Sequence, residues 1–402
     1  MTSFEYPPFS HQSGLGTHTR CLAQELARLG HTVVVVSTHY GSERVVASGP
    51  VIVVLYDRRD YNSFEKSFPE FLQDLNAAVA DRAPKILREL RFVPDVVHSQ
   101  ACHMITAAQA MSHCWGCPLI GGVHISHKHM SRLLGNEFDS EIEAFERTLC
   151  EAPDQLIAVS AGLKAVICQD YGLAPAAVRV VHNGVNTRAQ SFRRWPRRAL
   201  RARFVPGADL VAFIGGMSIA KGLPSVLASA GVISQSARKV QYVLAGSMSH
   251  SDRKIYENTL ASDLRLRSSV RWIRNLRHTS AMKLAGLADV VVVPSAFEAC
   301  PYVALEAMVQ GTPVIASNTG GMPEIIEDGV SGFLVPLVSG VPPAVDLALF
   351  IDRQETLLSD PVRAQAIGRR GRRRVMQEFD QELMARRTAQ CYEAALGLGV
   401  GV

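Results

Sequence analysis

The chain has 402 residues, of which 47% are hydrophobic and 20% charged, and its formal net charge is +5. This is the composition of a globular protein, and its length exceeds what one hydrophobic core usually serves, so two domains are expected. No apolar run approaches the ~18 residues of a membrane-spanning helix, and no basic segment followed by an apolar one opens the chain. A cytoplasmic location is therefore predicted.

Two arginine-rich runs stand out, with seven arginines in residues 188–203, around Trp195 and Pro196, and five in residues 369–374. Such runs are most often solvated helix surfaces, but they also suit an anionic membrane face. Peripheral contact with the inner face of a membrane therefore stays open. No nucleic-acid-binding motif accompanies either run, so no nucleic acid partner is predicted.

The eight cysteines are scattered, and Cys114 and Cys117 are the only close pair. A zinc site would require a second pair or two histidines at ligand spacing. Cys102-His103, His113, and His127 with His129 keep that alternative open, although their spacing fits no standard ligand set. Buried, reduced cysteines are the simpler interpretation, and no metal is predicted.

The first half alternates helix-like and strand-like segments. Leu22, Leu26 and Leu29 recur at helical spacing and predict a helix over residues 17–29, ended by Gly30. A buried strand follows at residues 33–36. Only about five residues precede Tyr6-Pro7-Pro8, so a first strand either is very short or begins upstream. Further strands are predicted at residues 51–56, 95–98, 119–124, 155–159 and 178–182.

The pattern pauses at Asn183-Gly-Val and then restarts. A strand at residues 210–214 leads to the turn Gly215-Gly216, then Lys221-Gly222 and a helix. More strands are predicted at residues 240–244, 288–293 and 313–316. This alternation predicts an α/β fold of two Rossmann-like, doubly wound parallel-sheet domains, residues 1–184 and 185–380, facing each other across a cleft.

The most informative segment is residues 295–308. Pro301 suits the first turn of a helix, and the free amides of Tyr302 and Val303, next to Cys300, form a seat for phosphate. Glu298, before that helix, can accept hydrogen bonds from sugar hydroxyls. Glu306, two turns further, can bind a vicinal diol such as ribose. The segment therefore fits a nucleotide sugar.

Three other positions are candidates. Lys221 follows a strand-end turn and can neutralise a departing diphosphate. His124 ends an apolar strand and can bond or polarise a reacting group. Gly14 and Gly16 permit close backbone approach at a helix start. Thr19 occupies the third-glycine position of the dinucleotide fingerprint, which disfavours an NAD-dependent oxidoreductase.

These residues together resemble the retaining glycosyltransferases of family 4, which have the GT-B fold. The family's Glu-x7-Glu motif corresponds to Glu298 and Glu306, and its phosphate lysine to Lys221. Its cleft histidine corresponds to His124. Its glycine loop corresponds to residues 13–16 and its Asn-Gly-Val motif to residues 183–185.

The resemblance implies sugar transfer from a nucleoside diphosphate sugar, of the UDP or GDP type, to a hydroxyl acceptor with retention of anomeric configuration. It implies no cofactor and no metal. The donor would lie on the C-terminal domain and the acceptor, a small molecule, lipid carrier or glycan, on the N-terminal one. His124, Lys221 and Glu298 would be catalytic, and amides near Tyr302 and Gly16 would bind the diphosphate. A helix at about residues 381–402 would cross back to the first domain.

The sequence departs from the family pattern at Ser13, Pro301 and Gly216. Gly216 replaces an arginine that normally pairs with the lysine on the diphosphate, and Arg274 is the candidate substitute. Two alternatives follow: a nucleotide-sugar-binding protein with weakened catalysis, or a GT-B enzyme that hydrolyses or epimerises the nucleotide sugar. Nucleotide release that requires an acceptor distinguishes a transferase from the hydrolase or epimerase, whereas the binding protein would bind nucleotide and turn over nothing with any acceptor.

Overall fold

A computed structural model describes residues 1–10, 13–60, 66–188, 197–274 and 276–398. Residues 189–196 of the first arginine-rich run, including Trp195 and Pro196, lie outside these residues. The chain forms two compact units. The first comprises Met1–Arg132, Asn136–Gly184 and Gln381–Val402, and the second Leu133–Gly135 and Val185–Asp380.

Residues 1–184 alternate strands and helices. The strands are β1 (Val34–His39), β2 (Arg44–Ser48), β3 (Val51–Asp57), β4 (Val97–Ser99), β5 (Leu119–Val123), β6 (Gln155–Ala158) and β7 (Val178–Val180). The helices are α1 (Gly14–Arg28), α2 (Phe68–Glu89), α3 (Ile105–Trp115), α4 (His127–Leu134), α5 (Ser140–Glu151) and α6 (Ala161–Tyr171).

In the first unit, Thr2 takes the place of a short central strand between two sets of strands. The strands pair in the orders β2-β3-β1 and β4-β5-β6-β7, and all pairs are parallel except β2 with β3. Thr2 forms parallel bridges to Val36 of β1 and Ser99 of β4 and so joins the two sets. Strand β2 was not predicted, because its residues are mostly exposed and form no apolar run.

The second unit repeats the alternation. Its strands are β8 (Asp209–Ile214), β9 (Val240–Ala245), β10 (Val270–Ile273), β11 (Val290–Val293), β12 (Val314–Ser317), β13 (Phe333–Val335), β14 (Leu337–Val338) and β15 (Ala344–Val345). Its helices are α7 (Arg197–Phe204), α8 (Leu223–Ile233), α9 (His250–Ala261), α10 (Leu264–Ser269), α11 (His278–Leu287), α12 (Tyr302–Val309), α13 (Met322–Ile325), α14 (Leu347–Ser359) and α15 (Pro361–Glu378).

Six parallel strands form the main sheet of this unit, in the order β10-β9-β8-β11-β12-β13. The chain proceeds outward from β8 on one side and from β11 on the other, so the winding direction reverses between these two strands. Ligands bind at such a reversal in doubly wound sheets, beyond the carboxyl ends of the strands. The predicted fold class of two Rossmann-like, doubly wound domains is confirmed.

The last helix, α16 (Gln381–Ala395), belongs to the first unit. Its inner face joins the core formed by α1, β1 and β3, with Met384 and Ala385 packed near Leu22 and Leu26. Gln381 also donates a hydrogen bond of 2.5 Å to the buried carboxylate of Glu25 on α1. This packing places the C-terminal helix on the N-terminal unit.

Among the described residues, no helix combines the length and the apolarity that crossing a membrane requires. The basic run on α15 exposes Arg369, Arg370 and Arg373. Contact of this helix with an anionic membrane surface stays a prediction.

Candidate active site

Two predicted residues of the second unit meet where the winding direction reverses. Lys221 follows β8 and Glu298 follows β11, and these strands are neighbours in the sheet. The Lys221 ammonium lies 2.7 Å from Oε1 of Glu298. The lysine side chain is 38% exposed and the glutamate 13%. An ammonium with three N–H groups therefore keeps donors available for an anion beside the carboxylate.

Backbone contacts fix the position of Glu298. Ser295 donates a hydrogen bond of 2.8 Å to its Oε1, and the Gly321 amide donates one of 2.9 Å to its carbonyl oxygen. Gly320 has a φ of +54°, and a Cβ there would lie 2.0 Å from the Glu298 carbonyl oxygen. Because only glycine permits this approach, the loops after β11 and β12 pack tightly against each other.

Glu306 lies on α12, whose N-cap position is Pro301. Its carboxylate accepts a hydrogen bond of 2.5 Å from Nε2 of His278, the first residue of α11, and is 13% exposed. Tyr302 and Val303 lie in the first turn of α12, at the positive end of the helix dipole. The positive end of this helix lies three residues beyond Glu298, which favours an anion at this point.

The other predicted site residues of this unit, Gly216, Arg274 and Cys300, lie in different surroundings. Gly216 is exposed, and a Cβ added there would meet no atom within 4 Å. The Arg274 guanidinium lies 4.3 Å from the ring centroid of Trp272, so a cation–π contact holds it. Cys300 is buried. The compensating role of Arg274 for the missing arginine stays a prediction.

In the first unit, His124 belongs to a buried cluster of histidines. Its ring centroid lies 4.3 Å from that of His18 on α1, in an edge-to-face arrangement. Burial, reinforced by His18 and His98, holds the pKa of His124 well below its ordinary value. Its Nε2 is buried and forms no hydrogen bond with any described residue. The ring is therefore neutral at neutral pH.

Two neighbours hold this cluster in place. Nδ1 of His18 lies 2.8 Å from Oδ1 of Asn183, and Nδ1 of His98 lies 2.7 Å from the Tyr392 hydroxyl on α16. The Asn-Gly-Val motif thus provides a hydrogen-bond partner for His18. The sequence did not point to His18 or His98, although His18 lies one turn after Gly14 on the predicted helix.

Gly14 and Gly16 begin α1. Ser13 is the N-cap residue, and its hydroxyl accepts a hydrogen bond of 3.2 Å from the Gly16 amide. A Cβ at Gly16 would lie 2.9 Å from Cδ of Pro7, so glycine is required for the approach of this helix to the Pro7 segment. Gly14 is exposed. The predicted contact of this loop with a diphosphate stays a prediction.

The buried histidines predict acid sensitivity. Burial lowers the pKa of His18 to about 4, against the opposing effect of its bond to Asn183. Below a pH of ~6.5 the unfolded chain binds a proton at this residue and the folded chain does not. We therefore expect stability to fall as the pH drops from ~6.5 to ~4, by ~3 kcal/mol for His18 alone. Melting temperatures across this range measure the effect.

His18→Gln should flatten this pH dependence, whereas His113→Gln, which changes an exposed side chain, should leave it unchanged. Equal pH dependence in the wild type and His18→Gln would contradict the assignment of His18 as a buried neutral group.

Comparison with known proteins agrees with this geometry. Residues 12–189 match the sequence model of Glycosyltransferase Family 4, and residues 201–374 match that of Glycosyl transferases group 1. Glycogen synthase of Mycobacterium tuberculosis is 30% identical over 98% of this chain and 94% of its own length.

Solved structures show the same fold. Sucrose-phosphate synthase from Thermosynechococcus elongatus has a TM-score of 0.81 at 20% identity, covering 97% of this chain and 95% of its own. Anabaena Alr3699/HepE, in complex with UDP and glucose, has a TM-score of 0.71 at 18% identity, covering 98% of each chain.

The fold and the residues gathered at the strand ends define a glycosyltransferase of the GT-B type. The predicted GT-B fold is thereby confirmed. More narrowly, the chain belongs to glycosyltransferase family 4.

Proposed function

We propose that this glycosyltransferase moves a hexosyl group from a nucleoside diphosphate sugar to a hydroxyl acceptor, with retention and without a metal ion in the transfer step. The observation that carries this proposal is the Lys221–Glu298 pair beside the first turn of α12. It brings a cation from the loop after β8 next to a carboxylate that lies just before the start of a helix after β11. A sugar attached to a diphosphate presents the complementary groups in the same order.

In the proposed complex, Glu298 accepts hydrogen bonds from the donor sugar and Glu306 binds the ribose diol. Lys221 and the α12 amides bind the diphosphate. The second unit thus holds the donor, and the first provides His124 and the acceptor surface. Because His124 is neutral, it acts as a hydrogen-bonding group toward the transferred sugar and not as a cation.

The transfer breaks the bond between the anomeric carbon and the phosphate oxygen, and the acceptor oxygen bonds to the same face of that carbon. The departing phosphate takes the acceptor's proton, so no protein nucleophile is needed. Lys221 and the helix amides stabilise the charge that develops on the leaving diphosphate. Lys221 also contacts Glu298 at 2.7 Å, which couples the sugar site to the phosphate site.

The similarity to a protein solved with UDP and glucose supports UDP-glucose as the first donor to test. A panel of UDP-, GDP- and ADP-sugars, with glucan, sugar phosphate and lipid-linked acceptors, should show nucleotide release that depends on the acceptor. The new glycosidic bond should have the anomeric configuration of the donor, read by NMR coupling constants, in buffer containing a chelator. An inverted product, or turnover that requires an added divalent metal, would contradict the proposed mechanism.

Two other outcomes would support the alternatives. Nucleotide release without any acceptor would favour a hydrolase or epimerase. Binding of nucleotide without turnover would favour a binding protein, an alternative motivated by the exposed Gly216 at the position of the usual arginine.

A further inference from the structure

Three metal-ligating side chains converge in the first unit, outside the proposed donor site. Cys102 and His103 lie on the 3₁₀ turn Cys102–Met104 after β4, and His127 begins α4. One potential ligand atom from each, the Sγ of the cysteine and a nitrogen of each ring, lies within 4.8 Å of the other two. Cys102 is 4% exposed, and both histidines are half-buried.

The two histidines carry buried nitrogens that the protein leaves without a partner. Nδ1 of His103 and Nε2 of His127 make no hydrogen bond to any described residue. Their rings lie edge to face with centroids 5.4 Å apart. Buried polar atoms are nearly always paired, and a cation that accepts both lone pairs would satisfy the two nitrogens together.

The surrounding residues fix the His103 ring and the backbone of His127. The His103 ring stacks on Phe4, with centroids 5.3 Å apart, and contacts the edge of Phe68. The His127 amide donates a hydrogen bond of 2.6 Å to Oε1 of Glu146. Metal-binding imidazoles need such fixed orientations, because a preorganised ligand loses less freedom on binding.

A buried carboxylate beside the cluster favours a doubly charged ion. Glu146 is 1% exposed and interacts electrostatically with both Cys102 and His127. Its other oxygen accepts hydrogen bonds from the Lys128 amide at 3.1 Å and the Tyr171 hydroxyl at 2.5 Å. With these bonds Glu146 is occupied as an acceptor, so it balances charge and leaves coordination to the other three side chains.

We propose that Cys102, His103 and His127 bind one Zn²⁺, with a water molecule as the fourth ligand. Thiolate and imidazole are ligands that zinc prefers. The Cys102 thiolate and the Glu146 carboxylate together balance the two charges of Zn²⁺, and the buried guanidinium of Arg58, which interacts electrostatically with His103, adds one positive charge nearby. Bonds of ~2.0–2.3 Å require the most distant ligand atoms to approach by about 1 Å. The ion would tie the turn after β4 to the start of α4, and so fix the short segment that follows His124.

The test uses full-length protein without an affinity tag, loaded with zinc and dialysed. Elemental analysis should give about one zinc per chain. Substitution by Co²⁺ should produce the visible bands of a four-coordinate site and an ultraviolet thiolate-to-cobalt band. Cys102→Ser should abolish the thiolate band, and His127→Gln should weaken zinc binding by more than about a hundredfold.

Matched controls are Cys114→Ser and His113→Gln, which change exposed residues of the same unit outside the cluster. Both should retain full zinc content. Chelation should lower the melting temperature of the wild type but not of His127→Gln, which keeps the test informative if Cys102→Ser fails to fold. Zinc content near zero in the loaded wild type, a cobalt spectrum without the thiolate band, or equal loss in the controls would overturn the proposal.

Discussion

Lys221→Ala is expected to lower kcat by about a hundred- to a thousandfold, the loss seen when one preorganised charge-stabilising donor is removed from an active site. The effect should fall mainly on kcat, because the leaving diphosphate gains charge only as the bond to the sugar breaks. The side chain is 38% exposed, so its removal should leave the melting temperature nearly unchanged. Initial rates at saturating donor, with an acceptor found active in the proposed panel, measure the loss.

Lys254→Ala is the matched control, because it removes the same charge from an exposed position on α9 of the same unit. It should keep wild-type kcat. A loss below about tenfold for Lys221→Ala would contradict the assigned role in stabilising the leaving group.

Lys221→Ala would also lower kcat if Lys221 acts only by orienting Glu298, whose Oε1 lies 2.7 Å from the ammonium. A double-mutant cycle separates the two. If Lys221 acts on the diphosphate, Lys221→Ala should still lower kcat in a Glu298→Gln background. If it acts only by orienting Glu298, the second substitution should add nothing.

The residues whose positions in the fold the sequence predicted share one property: their positions depend on local signals. Pro301 predicted the start of α12, and the strands before Lys221 and Glu298 predicted that both would lie at strand ends. Lys221 and Glu298 then lie close together because β8 and β11 are neighbouring parallel strands whose carboxyl ends share one edge of the sheet.

The partners that sequence reasoning missed depend on tertiary packing. His278 lies 28 positions before Glu306 and meets it only because α11 and α12 pack together. His18 on α1 meets His124, which follows β5, only through the packing of these two elements. Neither contact leaves a pattern in the spacing of residues, and the edge strand β2 lacks the apolar run by which buried strands are predicted.

Glu306→Ala is expected to weaken UDP binding by about a hundredfold. Hydrogen bonds to a charged group contribute ~1.5–3 kcal/mol each, and a carboxylate can accept one from each ribose hydroxyl. The side chain is 13% exposed, so solvent competes little for these bonds. Calorimetry with UDP measures the loss, and inorganic pyrophosphate, which has no ribose, is the matched ligand whose affinity should not change.

Because Glu306 also contacts His278, a loss of UDP affinity in Glu306→Ala can have two causes. Glu306 accepts a hydrogen bond from His278 at 2.5 Å, so its removal also breaks a link between α11 and α12. His278→Ala breaks the same link but keeps the carboxylate, and it should weaken UDP binding by less than about tenfold, the effect of one hydrogen bond. Equal losses for the two variants, or an equal loss of pyrophosphate affinity, would show that Glu306 positions the helices and does not bind the ribose.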